Sequence, residues 1–128
     1  MGTTEQKELL VVDDEDDFLD LVDEIFGASG YRVLTAHSAA EAEEHLQGSP
    51  CDVAIVDYRL PGKNGAHVAQ RIRERWPSTR IVFLTGDSEA ARRIERQGLD
   101  VAACLVKPVE VDSLLELVEE LRRSARDS

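Results

Sequence analysis

The chain has 128 residues and a formal net charge of −11, from 26 acidic and 15 basic side chains. This length and a hydrophobic fraction of 42% suit one globular domain, so residues 1–128 are expected to form a single unit. The acidity argues against direct binding to nucleic acid or to an anionic membrane, because both favour Lys and Arg. Neutral or basic partners are expected instead.

Nothing in the sequence has the pattern of a secretory signal or of a membrane span. Residues 1–8 are polar, and no stretch approaches the ~20 apolar residues that a membrane helix needs. Cys51 and Cys104 form no CxxC pair and lie in apolar segments, which is typical of buried free thiols in a reducing compartment. We therefore expect a cytoplasmic protein.

Five apolar segments alternate with five amphipathic ones. The predicted strands, in chain order, are Leu9–Val12, Tyr31–Ala36, Val53–Val56, Ile81–Leu84 and Ala102–Val106. The predicted helices lie near 16–28, 39–47, 66–75, 88–97 and 110–123. In the last helix, Leu117 lies beside the apolar stripe and widens it, a weak indication of a contact surface.

This alternation predicts an α/β fold with three layers, a doubly wound parallel sheet of five strands covered by helices on both faces. Short apolar runs bounded by charge are typical of strands buried on both sides. In such a sheet every strand-to-helix turn lies at one edge, where ligands of open α/β folds bind. The residues that follow the strands should therefore meet there.

Those residues are chemically distinctive. Asp13 and Asp14 follow the first strand, Asp57 follows the third, Thr85 follows the fourth and Lys107 follows the fifth. Carboxylates are the hard oxygen ligands that Mg²⁺ prefers, and an aspartate can act as a nucleophile toward phosphorus. An ammonium and a hydroxyl can stabilise the charge on a transferring phosphoryl group. The set predicts magnesium-dependent phosphoryl transfer to an aspartate.

Zinc chemistry is not expected. The three histidines are scattered and no Cys/His set has zinc spacing, so they are interpreted as surface side chains. Glu15, Asp16 and Asp17 extend the acidic run at a helix start, and we interpret them as capping acids rather than metal ligands. Gly62 and Gly65 are interpreted as turn residues.

Four motifs in order resemble the receiver domain of two-component response regulators, a CheY-like family. They are Leu10-Val11-Val12-Asp13-Asp14, Asp57-Tyr58-Arg59-Leu60-Pro61-Gly62 with Gly65, Thr85-Gly86, and Lys107-Pro108. The separations agree with the family as well, and the resemblance covers roughly residues 7–123. It implies a flavodoxin-like sheet with the strand order 2-1-3-4-5.

The resemblance implies a phosphorylation-controlled signalling switch. Asp57 would be the phosphoacceptor, supplied by a histidine kinase or a histidine phosphotransfer protein. Asp14 would bind Mg²⁺ directly and Asp13 through water, with Asp57 and the backbone carbonyl of Arg59 as further ligands. Mn²⁺ is expected to substitute for Mg²⁺.

The resemblance also implies how the signal leaves the site. Lys107 would pair with a phosphoryl oxygen, and the bond from Lys107 to Pro108 would be cis. Thr85 would move to hydrogen-bond the phosphoryl group and so change the surface around the fourth helix, fifth strand and fifth helix. A downstream protein, or a second copy in a phosphorylation-dependent homodimer, would bind that surface. Only self-directed phosphoryl transfer and autodephosphorylation are expected, not an enzyme with its own substrate.

The chain departs from the family pattern in three places. Cys104 stands where Tyr or Phe usually precedes the lysine by three residues, so the usual aromatic readout is missing. Gly98 lies nine residues before the lysine, which predicts an early end to the fourth helix and a longer connection over Leu99–Val101. Val109 follows the proline where Phe is common, a mild packing change.

Charge suggests one finer hypothesis. Arg59 and Asp87 each lie two positions after a site residue, and an ion pair between them across the site mouth would hinder the attacking water. Such a pair would prolong the phosphorylated state.

Two other functions share part of this pattern. A magnesium-dependent phosphatase of the haloacid-dehalogenase type also uses an aspartate nucleophile, but it needs a second Asp two residues later, where this chain has Arg59. A flavin-binding module would need Ser, Thr and Gly where Asp13–Asp17 would repel a phosphate. The sequence slightly favours a stand-alone receiver over a piece of a longer regulator or hybrid kinase.

Overall fold

The computed structural model describes residues 6–97 and 100–127, the last three by their backbone alone. The strands along these residues are β1 (Lys7–Val12), β2 (Tyr31–Ala36), β3 (Val53–Asp57), β4 (Arg80–Thr85) and β5 (Ala103–Val106). The helices that alternate with them are α1 (Asp16–Ala28), α2 (Ala39–His45), α3 (Gly65–Arg75), α4 (Ser88–Arg96) and α5 (Val111–Asp127).

The five strands form one parallel sheet in the order β2-β1-β3-β4-β5. This confirms the predicted fold class and strand order. The register places Val12 beside Val56, Asp57 beside Leu84 and Thr85 beside Val106. Because the strands are parallel and their last residues pair with one another, the residues that follow the strands lie at the same edge of the sheet.

Successive side chains of the central strands face opposite layers, as the pleat of a strand requires. Leu10, Val12 and Val56 pack toward α2, α3 and α4, and Leu9 and Val11 pack toward α1 and α5. Every residue of β3 is buried. Two apolar cores therefore hold the sheet from both sides, and β1 and β3, which carry the acids at their ends, lie in its middle.

The helix ends differ from the predictions by a few residues. The second helix ends at His45 rather than near residue 47, because the backbone tightens into three-residue turns that lead to Gly48. The last helix continues to Asp127, past the predicted end at 123, since the polar residues that follow the apolar stripe include no Gly or Pro to end the helix. Leu117 is partly buried against the core, and the contact surface predicted from its position stays a prediction.

The fourth helix ends at Arg96, but Gly98 and Leu99, on which the predicted longer connection depends, lie outside the described residues. Within the described part of the chain, no helix is long and apolar enough to span a membrane.

Candidate functional site

The predicted site residues come together at the carboxyl edge of the sheet. Asp13 follows β1 directly, Asp57 ends β3, Thr85 ends β4 and Lys107 follows β5. Asp13 and Thr85 are fully buried, and Asp57 is only 7% exposed. The edge is held by backbone hydrogen bonds that continue the sheet, from Asp13 N to Ala36 O at 3.0 Å and from Lys107 N to Thr85 O at 2.7 Å.

Asp13, Asp14 and Asp57 form the acidic centre of the site. One carboxylate oxygen from each lies within 4.8 Å of the other two. At an effective dielectric near 20, two charges about 5 Å apart repel by roughly 3 kcal/mol, so the cluster requires a compensating positive charge. Three hard oxygen donors with one exposed side, at Asp14, are a donor set that suits Mg²⁺, which keeps several waters.

Lys107 supplies part of that charge. Its Nζ lies 2.8 Å from Asp13 Oδ2, 3.2 Å from Asp57 Oδ2 and 2.9 Å from Glu15 Oε1. Burial alone lowers the pKa of the Lys107 ammonium, but the hydrogen bonds to Asp13 and Glu15 outweigh it and raise that pKa above its ordinary value. Lys107 is therefore a permanent cation within contact distance of Asp57.

Asp57 has opposing influences on its acidity. Burial raises the pKa of its carboxyl group, while the Arg59 backbone N–H and the Lys107 ammonium lower it, and the net pKa is above the ordinary value. The Arg59 N–H donates to Asp57 Oδ1 at 3.0 Å, and Lys107 contacts the other oxygen. Because each carboxylate oxygen has its own hydrogen-bond donor, the orientation of the Asp57 carboxylate is fixed.

The loop after β3 depends on two glycines. Gly62 has a φ of +83°, a conformation that L side chains rarely adopt. A Cβ on Gly65 would lie 2.5 Å from Asp57 O, because Gly65 N donates to Tyr58 O at 2.6 Å and draws the start of α3 against β3. Gly62 is a turn residue, as predicted, but the prediction for Gly65 was wrong, because Asn64 caps the helix and Gly65 is the first residue of α3. Gly65 sets how closely α3 approaches the Asp57 backbone.

The remaining predicted positions lie around this centre. The bond between Lys107 and Pro108 is cis, which agrees with the prediction. Cys104 lies on β5 opposite Phe83, is partly buried and is a free thiol, as is the buried Cys51. Thr85 Oγ1 accepts a hydrogen bond from Asp87 N at 3.3 Å.

Two interpretations from the sequence do not hold in the structure. Arg59 and Asp87, both within the described residues, form no ion pair with each other; Asp87 instead caps α4 by accepting from Glu89 N at 2.9 Å. Glu15 occupies the N-cap position of α1, yet its side chain makes no capping hydrogen bond. Its carboxylate reaches Lys107 instead, a contact that no local pattern signals because 92 positions separate the two residues.

Other contacts at the site mouth were also absent from the sequence interpretation. The Lys107 ammonium lies 5.4 Å from the centroid of the Phe18 ring. His37, expected to be an ordinary surface side chain, bridges two helix starts by contacting Asp16 and Glu41. An open groove of about 360 Å³ beside the acids is lined by Glu15, Phe18, Lys107, Pro108 and Val109.

The fold and this arrangement of acids and lysine define a receiver module, and comparison with known proteins agrees. A family model of the response regulator receiver domain matches residues 9–119. The chain therefore belongs to the receiver-domain family of response regulators.

Longer regulatory proteins are among its relatives. The photosynthetic apparatus regulatory protein RegA of Cereibacter sphaeroides is 34% identical over 108 residues, which are 84% of this chain and 59% of RegA. The transcriptional regulatory protein DltR of Streptococcus agalactiae is 33% identical over 109 residues, 84% of this chain and 48% of DltR. This chain thus spans about half the length of these curated relatives.

Solved structures agree with the fold over almost the whole chain. A CheY-like receiver domain from Methanospirillum hungatei superposes with a TM-score of 0.88 at 24% identity, covering 96% of this chain and 98% of that one. The response regulator TrrA from Thermotoga maritima, solved in complex with Mg²⁺-BeF, has a TM-score of 0.77 at 32% identity, covering 91% of this chain and 99% of that one.

Proposed function

We propose that this domain is a phosphorylation-controlled signalling switch in which Asp57 accepts a phosphoryl group. The observation that carries the proposal is the placement of the Asp57 carboxylate, with Lys107 Nζ 3.2 Å from one oxygen and a backbone N–H 3.0 Å from the other. This carboxylate ends a central strand and lies beside two further acids.

The chemistry follows from these contacts. One oxygen of ionised Asp57 attacks the phosphorus of the donor, the P–N bond of a phosphohistidine or the P–O bond of an acyl phosphate breaks, and the bonding pair leaves with the donor. Lys107 can donate to a phosphoryl oxygen where negative charge accumulates, and Thr85 can offer its hydroxyl at the next strand end.

The acidic cluster gives this transfer its metal requirement. Asp13, Asp14, Asp57 and the backbone carbonyl of Arg59 would hold Mg²⁺, or Mn²⁺ in its place, which when bound supplies positive charge against the phosphoryl oxygens. The solved complex of TrrA with Mg²⁺-BeF, a relative at 32% identity, supports this assignment.

The partners we propose follow from family membership and charge. A histidine kinase or a histidine phosphotransfer protein would supply the phosphoryl group, and a downstream protein or a second copy of the domain would bind the altered surface. Cys104 and Pro108 would take part in that surface change, together with Thr85. The chemistry proposed for the domain is limited to its own phosphorylation and dephosphorylation, and a cytoplasmic location stays a prediction.

Incubation with acetyl phosphate, with and without Mg²⁺, followed by intact mass measurement, tests the proposal. We expect the gain of one phosphoryl group in the presence of Mg²⁺, and none in Asp57→Asn. The matched control is Asp20→Asn, which removes an exposed carboxylate of α1 and should leave phosphorylation unchanged. Labelling that persists in Asp57→Asn, or steady release of phosphate from unrelated monoesters, would overturn the proposal.

A further inference from the structure

Glu15 differs from the N-cap residues of α2, α3 and α4 because its side chain makes no capping hydrogen bond. It stands at the N-cap position of α1, but its own backbone N–H is bound by Asp13 Oδ1 at 2.9 Å and its carboxylate caps nothing. By contrast, α2, α3 and α4 each begin with a side chain that accepts a hydrogen bond from the first turn. The Glu15 carboxylate is thus available for Lys107, which it contacts at 2.9 Å.

Lys107 has no spare donor in this arrangement. An ammonium group has three N–H donors, and the carboxylates of Asp13, Asp57 and Glu15 each lie within hydrogen-bond distance of Nζ. The Lys107 side chain is 19% exposed. A phosphoryl group on Asp57 can receive a hydrogen bond from Lys107 only if one of the existing bonds is given up.

The three carboxylates are not equivalent in this respect. Asp13 and Asp57 belong to the oxygen cluster that suits a divalent cation, whereas Glu15 is outside that cluster. In the phosphorylated state Asp57 would carry the phosphoryl group, and Asp13 would be one of the residues that hold the cation. Among the three carboxylates that contact Lys107, Glu15 would then bind neither the cation nor the phosphoryl group, so it would continue to bind the ammonium.

We infer that Glu15 is a positioning residue that holds the Lys107 ammonium toward the start of α1 and competes with the phosphoryl group for it. This inference rests on the proposed function. Its consequence is that the wild-type domain binds a phosphoryl group less tightly than its lysine would allow. The Glu15 side chain is 64% exposed, so the competition is partly screened by solvent and salt.

The test is a titration of the Mg²⁺-saturated domain with beryllofluoride, a stable phosphoryl mimic, followed by ¹⁹F NMR. We expect Glu15→Gln to lower the Kd by about twofold to fivefold, the range that an exposed ion pair contributes. Asp17→Asn is the matched control, because it removes the same charge from an exposed position on the same helix without removing a contact to Lys107. Its Kd should change less.

A second measurement reports on the contact itself. The ¹³Cε chemical shift of Lys107 in the free domain should change in Glu15→Gln and in the shorter Glu15→Asp, but not in Asp17→Asn. An unchanged shift or an unchanged Kd in Glu15→Gln, or an equal gain in affinity in Asp17→Asn, would overturn the inference while the proposed function stands. If the parent domain neither binds beryllofluoride nor accepts a phosphoryl group, the proposed function is contradicted, and this inference is contradicted with it.

Discussion

Gly65 provides a sharp test of how packing positions Asp57. A Cβ built on Gly65 would lie 2.5 Å from Asp57 O and 2.7 Å from Tyr58 Cα, whereas ordinary contacts begin near 3.4 Å. Both obstructing atoms are backbone atoms of the strand end, which no side-chain rotation can move aside. The start of α3 or the end of β3 would have to shift by most of an ångström in Gly65→Ala.

The energetic cost follows from that overlap. Overpacking of a tight site costs about 1–3 kcal/mol, and we expect Gly65→Ala to lie at the upper end because the hydrogen bond from Gly65 N to Tyr58 O must also lengthen. The shift would displace the Asp57 carboxylate from Lys107, and because a misplacement of about 1 Å can cost about 100-fold in rate, phosphorylation should slow by more than about tenfold.

Two other glycines serve as controls for the assay. Urea unfolding gives the free energy of unfolding, and acetyl phosphate labelling gives the rate. Gly62→Ala should cost about 1–2 kcal/mol from its positive φ, with no steric contact within 4 Å and a smaller effect on the rate. Gly27→Ala, in α1 and away from the site, has neither problem and should be neutral or slightly stabilising, by up to ~1 kcal/mol. If Gly65→Ala were as stable and as active as Gly27→Ala, the argument from close approach would be wrong.

Three further predictions concern metal binding, pH dependence and a partly buried hydrogen bond. Mg²⁺ should raise the thermal midpoint of the parent but raise it much less in Asp14→Asn, because one oxygen ligand is lost; equal rises in calorimetry would count against the site. The hydrogen bond to Glu41 raises the pKa of His37, so the stability it contributes is complete below the ordinary pKa of 6.5 and is lost as the pH rises through the folded value. The difference in midpoint between parent and His37→Gln should therefore shrink from pH 5.5 to pH 8.5, and a constant difference would contradict the ion pair. Tyr31 OH donates to Glu119 Oε2 at 2.9 Å from a buried position, so Tyr31→Phe should lower the free energy of unfolding by about 1.5–3 kcal/mol in urea, whereas no change would show that the bond contributes nothing.

The fold class and strand order predicted from the sequence were confirmed, because both follow from the repeating pattern of apolar and charged segments. Apolar runs such as Val53–Val56, bounded by charge, favour buried strands, and the parallel alignment of the strands places the acids that follow them at one edge. Asp13, Asp57 and Lys107 therefore meet although up to 94 positions separate them. The hypothesis of an Arg59–Asp87 ion pair used the same offset logic, but the two side chains do not pair in the structure, where Asp87 accepts a hydrogen bond from the Glu89 backbone N–H. The predicted effect of these two residues on the phosphorylated state stays a prediction.

The pattern of apolar and charged residues was enough to establish the layers of the fold, the edge that carries the site and the identity of its acids, because burial and strand alternation repeat along the chain. Three contacts were decided only by the tertiary structure. They are the ion pair of Glu15 with Lys107, the bridge that His37 forms between two helix starts, and the close approach of Gly65 to Asp57. Each joins side chains or backbone atoms from separate elements. Such contacts are set by how helices pack on the sheet, which no local spacing encodes.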